Sequence, residues 1–248
     1  MSPFQCPSLF SILSFIEYEY GVYHPIGGCN AIPAKMAQLF EAMGGQLLLN
    51  EPVEEVTFRG RRATGVRSRS GFYPADAVVM NADFARAITS MVPAELRRRW
   101  SDRKVYSRQY SCSTFMLYLG VDRRIDDVAH HNIYISERYE ENLRDIEQRH
   151  RLSEDPSFYL QNASVTDPTL APAGHSALYL LVPVTHEHSN VDWSQEAPRF
   201  RQVALNQLEK IGISGISSSI RYERMITPAD WNARFGLHLG ATFSMAHS

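Results

Sequence analysis

Apolar residues near the start of the chain recur at the spacing of an α-helix. Over residues 33–43 they fall at i, i+3, i+4 and i+7, which predicts a helix with one buried face. The positions that would form this face are Met36, Leu39, Phe40 and Met43. Asn30 is a candidate cap at the helix start, and the following Gly44-Gly45 pair offers positive φ at its end. The apolar and aromatic residues 8–20 predict a short helix before it.

The next stretch has apolar residues at alternate positions. Residues 53–59 and 63–70 alternate on either side of a short basic turn, which predicts a small antiparallel sheet. Residues 46–49 and 77–80 are short apolar runs, and we expect each to form a short strand. The second of these strands would end at Asn81.

Long aromatic and aliphatic runs mark the second half of the chain. Residues 111–121, 158–163 and 176–184 predict strands that carry Phe, Tyr and Leu on both faces. Such strands indicate a sheet that is buried on one side and lines an apolar space on the other. Helices are expected to begin at Phe84 and to cover residues 93–100, 137–150 and 194–211.

Composition and charge narrow the function classes. The 248 residues are 44% hydrophobic and 21% charged, which is typical of a globular protein with a substantial core. The net charge is −2, so bulk electrostatics does not favour nucleic acid as a partner. Three cysteines without a C-x-x-C pair argue against a disulfide framework or a zinc site and favour a reducing compartment. The N-terminus lacks a basic segment and a cleavage site, so we expect neither a signal peptide nor a membrane span.

Histidine pairs are the clearest candidates for chemistry, and both have a simpler explanation. His130 and His131 are adjacent, and adjacent strand residues point to opposite faces, so they are not expected to serve one site. His186 and His188 would share a strand face, but the sequence shows no third metal ligand. No G-x-S-x-G, H-E-x-x-H or phosphate-binding loop is present, and the residues alone predict no catalytic side chain and no metal site.

Three aspartates lie in turn-like settings. Asp155 and Asp167 precede proline, and Asp192 precedes Trp193 at the start of a predicted helix. Aspartate in such positions accepts hydrogen bonds from nearby backbone N–H groups. We therefore expect each of them to cap a helix or form a turn.

A set of ordered motifs resembles the bacterial and fungal phytoene desaturases, within the carotenoid desaturase and amine-oxidase-like flavoprotein superfamily. The stretches extend over essentially the whole chain. They read GVYHPIGGCNAIPAKMAQLFEAMGG, NEPVEEV, ADAVVMNAD, YSCSTFMLYLGV, HHNIYIS, DPSFYLQNASVTDPTLAPAGHSALYLLVPV, VDWSQEAPRFR and TPADWNARFGLHLGATFSMAHS. The resemblance covers roughly the central and later half of such an enzyme.

The resemblance implies an α/β fold, with a partial FAD/NAD(P)-binding-type domain and a mixed-sheet α+β substrate domain. It divides the chain into a substrate-domain segment, a partial FAD-binding domain, a substrate-binding domain and the start of a return to the FAD domain. These parts cover residues 1–20, 21–83, 84–226 and 227–248. The family's dinucleotide fingerprint is missing, because no G-x-G-x-x-G occurs in the sequence.

The resemblance also places cofactor contacts. It implies FAD-binding roles for Gly27, Gly28, Val53, Asn81 and Ala82. Two adjacent glycines let a backbone approach a planar cofactor closely, although the same pair could simply form a tight turn before the helix. The chain departs from the family where Cys29 and Asn30 follow the glycines, since many members have a small residue there.

The activity implied is FAD-dependent insertion of carbon–carbon double bonds into a C40 hydrocarbon such as phytoene. An enzyme with a lipid-soluble substrate is expected in the cytoplasm at the membrane surface, docked through an apolar patch such as residues 3–16. Two alternatives are a saturase, isomerase or ketolase of the same type, and an inactive remnant that binds lipid or a partner. Without a pyrophosphate site, we expect weak or no FAD binding by this chain alone, and self-association through exposed apolar surface.

Overall fold

The computed structural model describes residues 7–246, which form seven α-helices and eight strands. The helices are α1 (Ser11–Tyr20), α2 (Ala31–Ala42), α3 (Phe84–Met91), α4 (Asp102–Tyr106), α5 (Tyr139–Arg144), α6 (Trp193–Gln207) and α7 (Pro228–Ala233). The strands are β1 (Val53–Arg59), β2 (Arg62–Ser68), β3 (Phe72–Pro74), β4 (Ser113–Val121), β5 (His131–Tyr134), β6 (Phe158–Asn162), β7 (Ser176–Val184) and β8 (Ile220–Ile226). The expected α/β class is confirmed.

The smaller sheet consists of β1, β2 and β3, paired antiparallel in chain order. It confirms the hairpin expected from the alternating pattern. Gly65 lies in β2 at φ +152°, and a Cβ there would come within 2.2 Å of the Tyr73 carbonyl oxygen. The close approach of β3 therefore requires glycine at this position. Val56 is the buried hydrophobic residue of this sheet.

The larger sheet has five strands in the order β5-β6-β7-β4-β8, and every pairing in it is antiparallel. We expected this sheet to contain both parallel and antiparallel strands, whereas all of its pairings are antiparallel. The pairing of β4 with β7 is continuous over nine residues, from Ser113 opposite Val184 to Val121 opposite Ser176. In β7 the side chains alternate strictly between buried and half-buried, so this sheet has two distinct faces.

One face of the larger sheet packs against α6 and forms the main core. Helix α6 buries Trp193, Ala197, Phe200 and Ala204, at intervals of three and four residues that place them on one side of the helix. Phe200 meets Phe115 of β4 edge to face at 5.1 Å between ring centroids. Asp192 caps the helix by accepting a hydrogen bond from the Ser194 backbone N–H, as expected.

The helix α2 forms, but its apolar face is not buried, so that expectation was wrong. Met36 is 66% exposed, Leu39 60% and Met43 79%. The helical spacing was sufficient to identify the helix, but burial needs a second element to pack against, and none of the described elements covers this side. Asn30 occupies the cap position without a capping hydrogen bond from its side chain.

Three further expectations fail for similar reasons. Residues 46–49 and 77–80 form no strand, and Val79 is 92% exposed. A short apolar run becomes a strand only when another strand pairs with its backbone, and no described strand does so here. Residues 93–100 contain only a single 3₁₀ turn, Ala94–Leu96, because Arg97 leaves the helical conformation.

The helix expected over residues 137–150 is interrupted. It begins as α5 and continues as a π-helical turn, Asp145–Arg149, which His150 ends with a left-handed φ of 49°. The helix expected over residues 194–211 is present as α6 followed by a 3₁₀ turn, Leu208–Ile211. Strand β8 and the short helix α7 had no counterpart in the sequence interpretation. Residues 3–6 of the proposed membrane patch, including Cys6, lie outside the described residues.

Within the range 7–246, no helix has both the length and the apolar character required to cross a bilayer.

Phe200 offers a test of the main core. We expect Phe200→Ala to lower the free energy of unfolding by about 3–5 kcal/mol, because it removes a fully buried ring between Phe115 and Trp193. Gln202→Ala, at an exposed position of the same helix, is the control and should change it by less than about 0.5 kcal/mol. Urea unfolding monitored by circular dichroism measures both, and equal effects would contradict this packing.

Candidate functional site

The glycine pair forms a turn before α2 that touches the larger sheet's connecting loops. Gly27 and Gly28 adopt φ of +86° and +87°, values that favour glycine. A Cβ on Gly27 would meet no atom within 4 Å, so open space adjoins this backbone. The Gly27 backbone N–H donates a hydrogen bond of 2.7 Å to Oδ2 of Asp167. Gly28 packs on Leu170, whose Cδ2 would lie 3.3 Å from an added Cβ.

Asp167 is the residue that holds this turn. It follows β6 and is fully buried. Oδ1 accepts hydrogen bonds from the backbone N–H and the hydroxyl of Thr169, so the expected capping role is confirmed. The hydrogen bond from the Thr169 hydroxyl, followed by those from the Gly27 and Thr169 backbone and from His24, lowers the pKa of the carboxyl from its ordinary value. Asp167 is therefore an ionised acceptor at neutral pH.

Three imidazole rings adjoin the turn. The rings of His24 and His130 are 4.8 Å apart, and those of His130 and His131 are 4.2 Å apart. The expectation that His130 and His131 point to opposite faces was wrong, because β5 begins at His131 and strand alternation does not apply to the residue before it. Nδ1 of His130 is 2.6 Å from the Thr166 hydroxyl, and Nδ1 of His131 is 2.7 Å from the Tyr159 hydroxyl.

A row of aromatic rings continues from these histidines across the second face of the larger sheet. Ring centroids are 6.0 Å apart from His131 to Tyr159, 6.1 Å from Tyr159 to Tyr179, and 5.2 Å from Tyr179 to Tyr118. We call His131, Tyr159, Tyr179 and Tyr118 the aromatic row. Each tyrosine in it is half-buried, whereas its neighbours in sequence on β4, β6 or β7 belong to the main core.

The three tyrosines of the aromatic row provide an uncharged, half-buried surface. Burial, together with Tyr118, Tyr159 and Cys29, raises the pKa of Tyr179 to about 12. Burial and Cys29 also raise the pKa of Tyr159. Cys29 follows the glycine pair, so the turn and the row are close enough to interact electrostatically. Phenols in this state stay protonated at neutral pH, and such a surface suits an apolar or planar ligand.

The other expected cofactor residues lie elsewhere. Val53 is exposed and begins β1 opposite Ser68. Asn81 and Ala82 are exposed residues of the loop before α3, whose cap is Asp83. Helix α3 contacts β1, so these three residues belong to the region of the smaller sheet. The glycine pair instead lies at the larger sheet.

A second histidine group lies at the end of β7. His186 and His188 are joined by His150, which the sequence did not indicate as a neighbour, with ring centroids 5.3 Å and 4.2 Å from that of His150. Nδ1 of His150 is 2.8 Å from the Thr185 hydroxyl. Burial, followed by His188 and His186, lowers the pKa of His150. Across residues 7–246, no group of three or more His, Cys, Asp or Glu side chains has an arrangement that could hold a metal ion.

Comparison with known proteins gives the family. Residues 2–244 match the family described as flavin containing amine oxidoreductase. The chain belongs to this family. Its resemblance to carotenoid desaturases is likewise confirmed by relatives that match it over its full length.

Several relatives match every part of the chain, and two of them illustrate the similarity. It is 43% identical over 249 residues to a 4,4'-diapophytoene desaturase (4,4'-diapolycopene-forming) of Methylomonas sp, and 41% identical over 252 residues to an all-trans-zeta-carotene desaturase of Myxococcus xanthus. Each match covers 100% of this chain and 48% of the relative. The chain therefore spans about half the length of the curated relatives it matches.

A solved structure supports the fold. The chain resembles an oxidoreductase from Methanosarcina mazei with a TM-score of 0.59 and 18% sequence identity, over 88% of this chain and 46% of that one. At this identity the likeness concerns the fold alone.

The contact between Gly27 and Asp167 was not visible in the sequence. The two residues are 140 positions apart, and Asp167 was identified only as a turn former. The aromatic row could have been found, because Tyr159 and Tyr179 occupy alternate positions of predicted strands and so face away from the core. The pairing register that aligns them comes only from the fold.

The second histidine group makes stability depend on pH. Because the folded-state pKa of His150 lies below its ordinary value of 6.5, the unfolded chain takes up a proton first as the pH falls. We therefore expect the free energy of unfolding to decrease as the pH falls from about 7.5 to about 5.5. His150→Asn should flatten this decrease, since Asn tolerates the left-handed φ and does not titrate.

Urea unfolding at both pH values measures this effect. His175→Asn, at a half-buried loop position away from the second histidine group, is the control and should keep the wild-type dependence. An unchanged slope in His150→Asn would contradict the role of burial and of the neighbouring imidazoles.

Proposed function

We propose that these residues belong to an FAD-dependent carotenoid desaturase, in which residues 21–83 contribute to the FAD-binding part and residues 84–226 to the substrate-binding part. One observation carries the proposal. The half-buried aromatic row adjoins the glycine turn, in a chain 43% identical to a diapophytoene desaturase. In this proposal, the face of the larger sheet that packs on α6 stabilises the protein, and the face that carries the aromatic row binds a ligand.

The glycine turn fits the edge of a flavin. Open space adjoins Gly27, and without a side chain its backbone leaves room for a planar ring. We propose further backbone contacts to FAD at Gly28, Val53, Asn81 and Ala82. A bound flavin would accept the hydride that leaves one substrate carbon, and the neighbouring carbon would lose a proton as the double bond forms. Residues 7–246 include no glycine-rich strand–turn–helix for the pyrophosphate, so this chain supplies only part of the cofactor site.

The aromatic row fits the substrate. A long polyene hydrocarbon has no polar group, so it is held by dispersion and by exclusion of water. The tyrosine rings offer broad, rigid surfaces for this contact. Their raised pKa keeps the hydroxyl groups protonated, so they carry no charge beside the substrate. The relatives are named for different substrates, including 4,4'-diapophytoene, zeta-carotene and phytoene. We propose a linear carotenoid of this class, such as phytoene.

The same surface is compatible with two alternative functions. A saturase, isomerase or ketolase would use the same flavin turn and the same apolar row, and product analysis distinguishes them. A remnant without activity would bind lipid or a partner through α1 and α2, which expose apolar side chains on the described part of the chain. These exposed residues include Ile12, Leu13, Phe15, Ile16, Met36, Leu39 and Phe40.

Peripheral membrane association at the cytoplasmic surface is proposed on the same ground. The described part of the patch, residues 7–16, is exposed and mostly apolar. Residues 1–34 contain no Lys or Arg, whereas Glu17 and Glu19 lie in α1. Attraction to anionic lipids is therefore weak, and insertion of apolar side chains would drive binding. Self-association is the competing use of this surface.

Cofactor retention is the first test. We expect the purified chain to retain little or no FAD after desalting, because the helix N-terminus that anchors a dinucleotide pyrophosphate is missing from residues 7–246. Flavin absorbance and titration calorimetry measure this. Stoichiometric retention would show that the chain alone forms the cofactor site.

A chimera tests the activity. This chain should replace the matching 48% of the Methylomonas diapophytoene desaturase, and desaturation should be followed by absorbance of the polyene products. We expect Tyr179→Phe to keep the activity and Tyr179→Asp to reduce it tenfold or more, roughly the effect of placing a charge on an apolar surface. Gln202→Ala, on the opposite side of the sheet, is the control. Equal activity of the Asp variant would exclude the aromatic row from substrate binding.

The helix α1 can be tested with liposomes. We expect the chain to co-sediment with zwitterionic liposomes and Leu13→Glu/Phe15→Glu to lose this binding, because both side chains are exposed and apolar. Ser11→Glu/Ser14→Glu adds the same charge to the same helix and should bind like the wild type. Size-exclusion chromatography without lipid reports self-association. If Leu13→Glu/Phe15→Glu loses oligomers but keeps liposome binding, the surface serves self-association.

A further inference from the structure

Asp167 and Asp192 make the same local cap, and Asp167 also bonds to a distant part of the chain. Oδ1 of Asp192 accepts hydrogen bonds from the backbone N–H and the hydroxyl of Ser194, at 2.9 and 2.7 Å. Oδ1 of Asp167 does the same with Thr169, at 3.1 and 2.6 Å. The cap therefore needs only one carboxylate oxygen in each case.

The second oxygen distinguishes them. Oδ2 of Asp167 accepts the backbone N–H of Gly27 at 2.7 Å and lies 3.5 Å from Nε2 of His24. Asp167 is fully buried, whereas the hydrogen bonds of Asp192 lie at an exposed position. Burying a carboxylate is unfavourable unless hydrogen bonds compensate it, and a cap does not require burial. The burial of Asp167 is therefore explained by its contact with the glycine turn.

The glycine turn has few other connections to the sheet. Its local backbone bonds run from Gly28 N–H to the Pro25 carbonyl and from Ala31 N–H to the Gly28 carbonyl, and both lie within the turn. Gly28 also touches Leu170, which belongs to the 3₁₀ turn that Asp167 caps. The same aspartate thus shapes the surface under the glycine pair and bonds to it directly.

We propose that Asp167 is a positioning residue whose Oδ2 fixes the Gly27-Gly28 turn beside the aromatic row, with His24 as a second contact of the same oxygen. Where the turn meets a flavin, this inference rests on the proposed function. The hydrogen-bond geometry of the turn does not.

Amide hydrogen exchange of the ¹⁵N-labelled chain, measured by NMR, tests the proposal without cofactor. Asp167→Asn leaves one carbonyl oxygen and puts an NH₂ group in place of the other acceptor. The oxygen can keep the Thr169 cap, while the NH₂ group faces the Gly27 N–H as a second donor. We expect exchange at Gly27 to accelerate roughly tenfold or more and exchange at Thr169 to stay within about threefold of the wild type.

Asp192→Asn is the matched control, and it should leave Gly27 exchange unchanged. Acceleration at Gly27 and Thr169 together would mean a purely local cap and would overturn the proposal. Unchanged exchange at Gly27 would overturn it as well. If Asp167→Asn causes a general loss of structure, exchange will also be faster in β4 and β7. Asp167→Glu is then the second variant, and we expect it to retain partial protection of the Gly27 N–H.

The chimera provides the functional readout. In it, Asp167→Asn should weaken flavin retention or shift the flavin absorbance, whereas Asp192→Asn should not. A chimera that binds no flavin in the wild-type form would contradict the proposed function alone, because the exchange result at Gly27 would still decide the role of Asp167.

Discussion

The nine-residue pairing of β4 with β7 sets which side chains the larger sheet presents on each face. In a β-strand, a shift of one residue moves every side chain to the opposite face. The observed register puts Phe115, Leu180 and Val182 toward α6 and places Tyr118 directly opposite Tyr179 on the other side. The main core and the aromatic row therefore depend on one another. A change that moves the register would lose both at once.

The candidate site combines residues from the loops between elements with side chains on one face of the larger sheet. Residues before α2, before β5 and after β6 converge at the edge of the sheet, where His24, His130 and Asp167 meet. Two of these segments adjoin β6, which the main core holds in place through Phe158 and Leu160, or its neighbour β5. The arrangement separates the side chains that stabilise the protein from those available to a ligand.

Much of the fold could be predicted from local pattern. The aromatic and aliphatic run of residues 176–184 identified β7 with its observed bounds, and the helix expected over residues 194–211 contains α6. Helix α2 was also found, but the burial predicted for its apolar face was wrong, because periodicity identifies a helix and does not show what packs on it. The glycine pair was identified through the family resemblance. Its acceptor, Asp167, could not be found in this way, because a contact between residues 140 positions apart leaves no local pattern.

The separation of Gly27 and Asp167 also has a consequence for the order of folding. A ribosome that makes the chain from its N-terminus completes the glycine turn long before the carboxylate that holds it, and β4 before both of its partners, β7 and β8. The smaller sheet can close early, because its three strands lie within residues 53–74 and pair in chain order. The apolar helices α1 and α2 precede both sheets in the sequence, and no described element covers their apolar side chains. A nascent chain of this kind is a natural client for chaperones that bind exposed apolar segments.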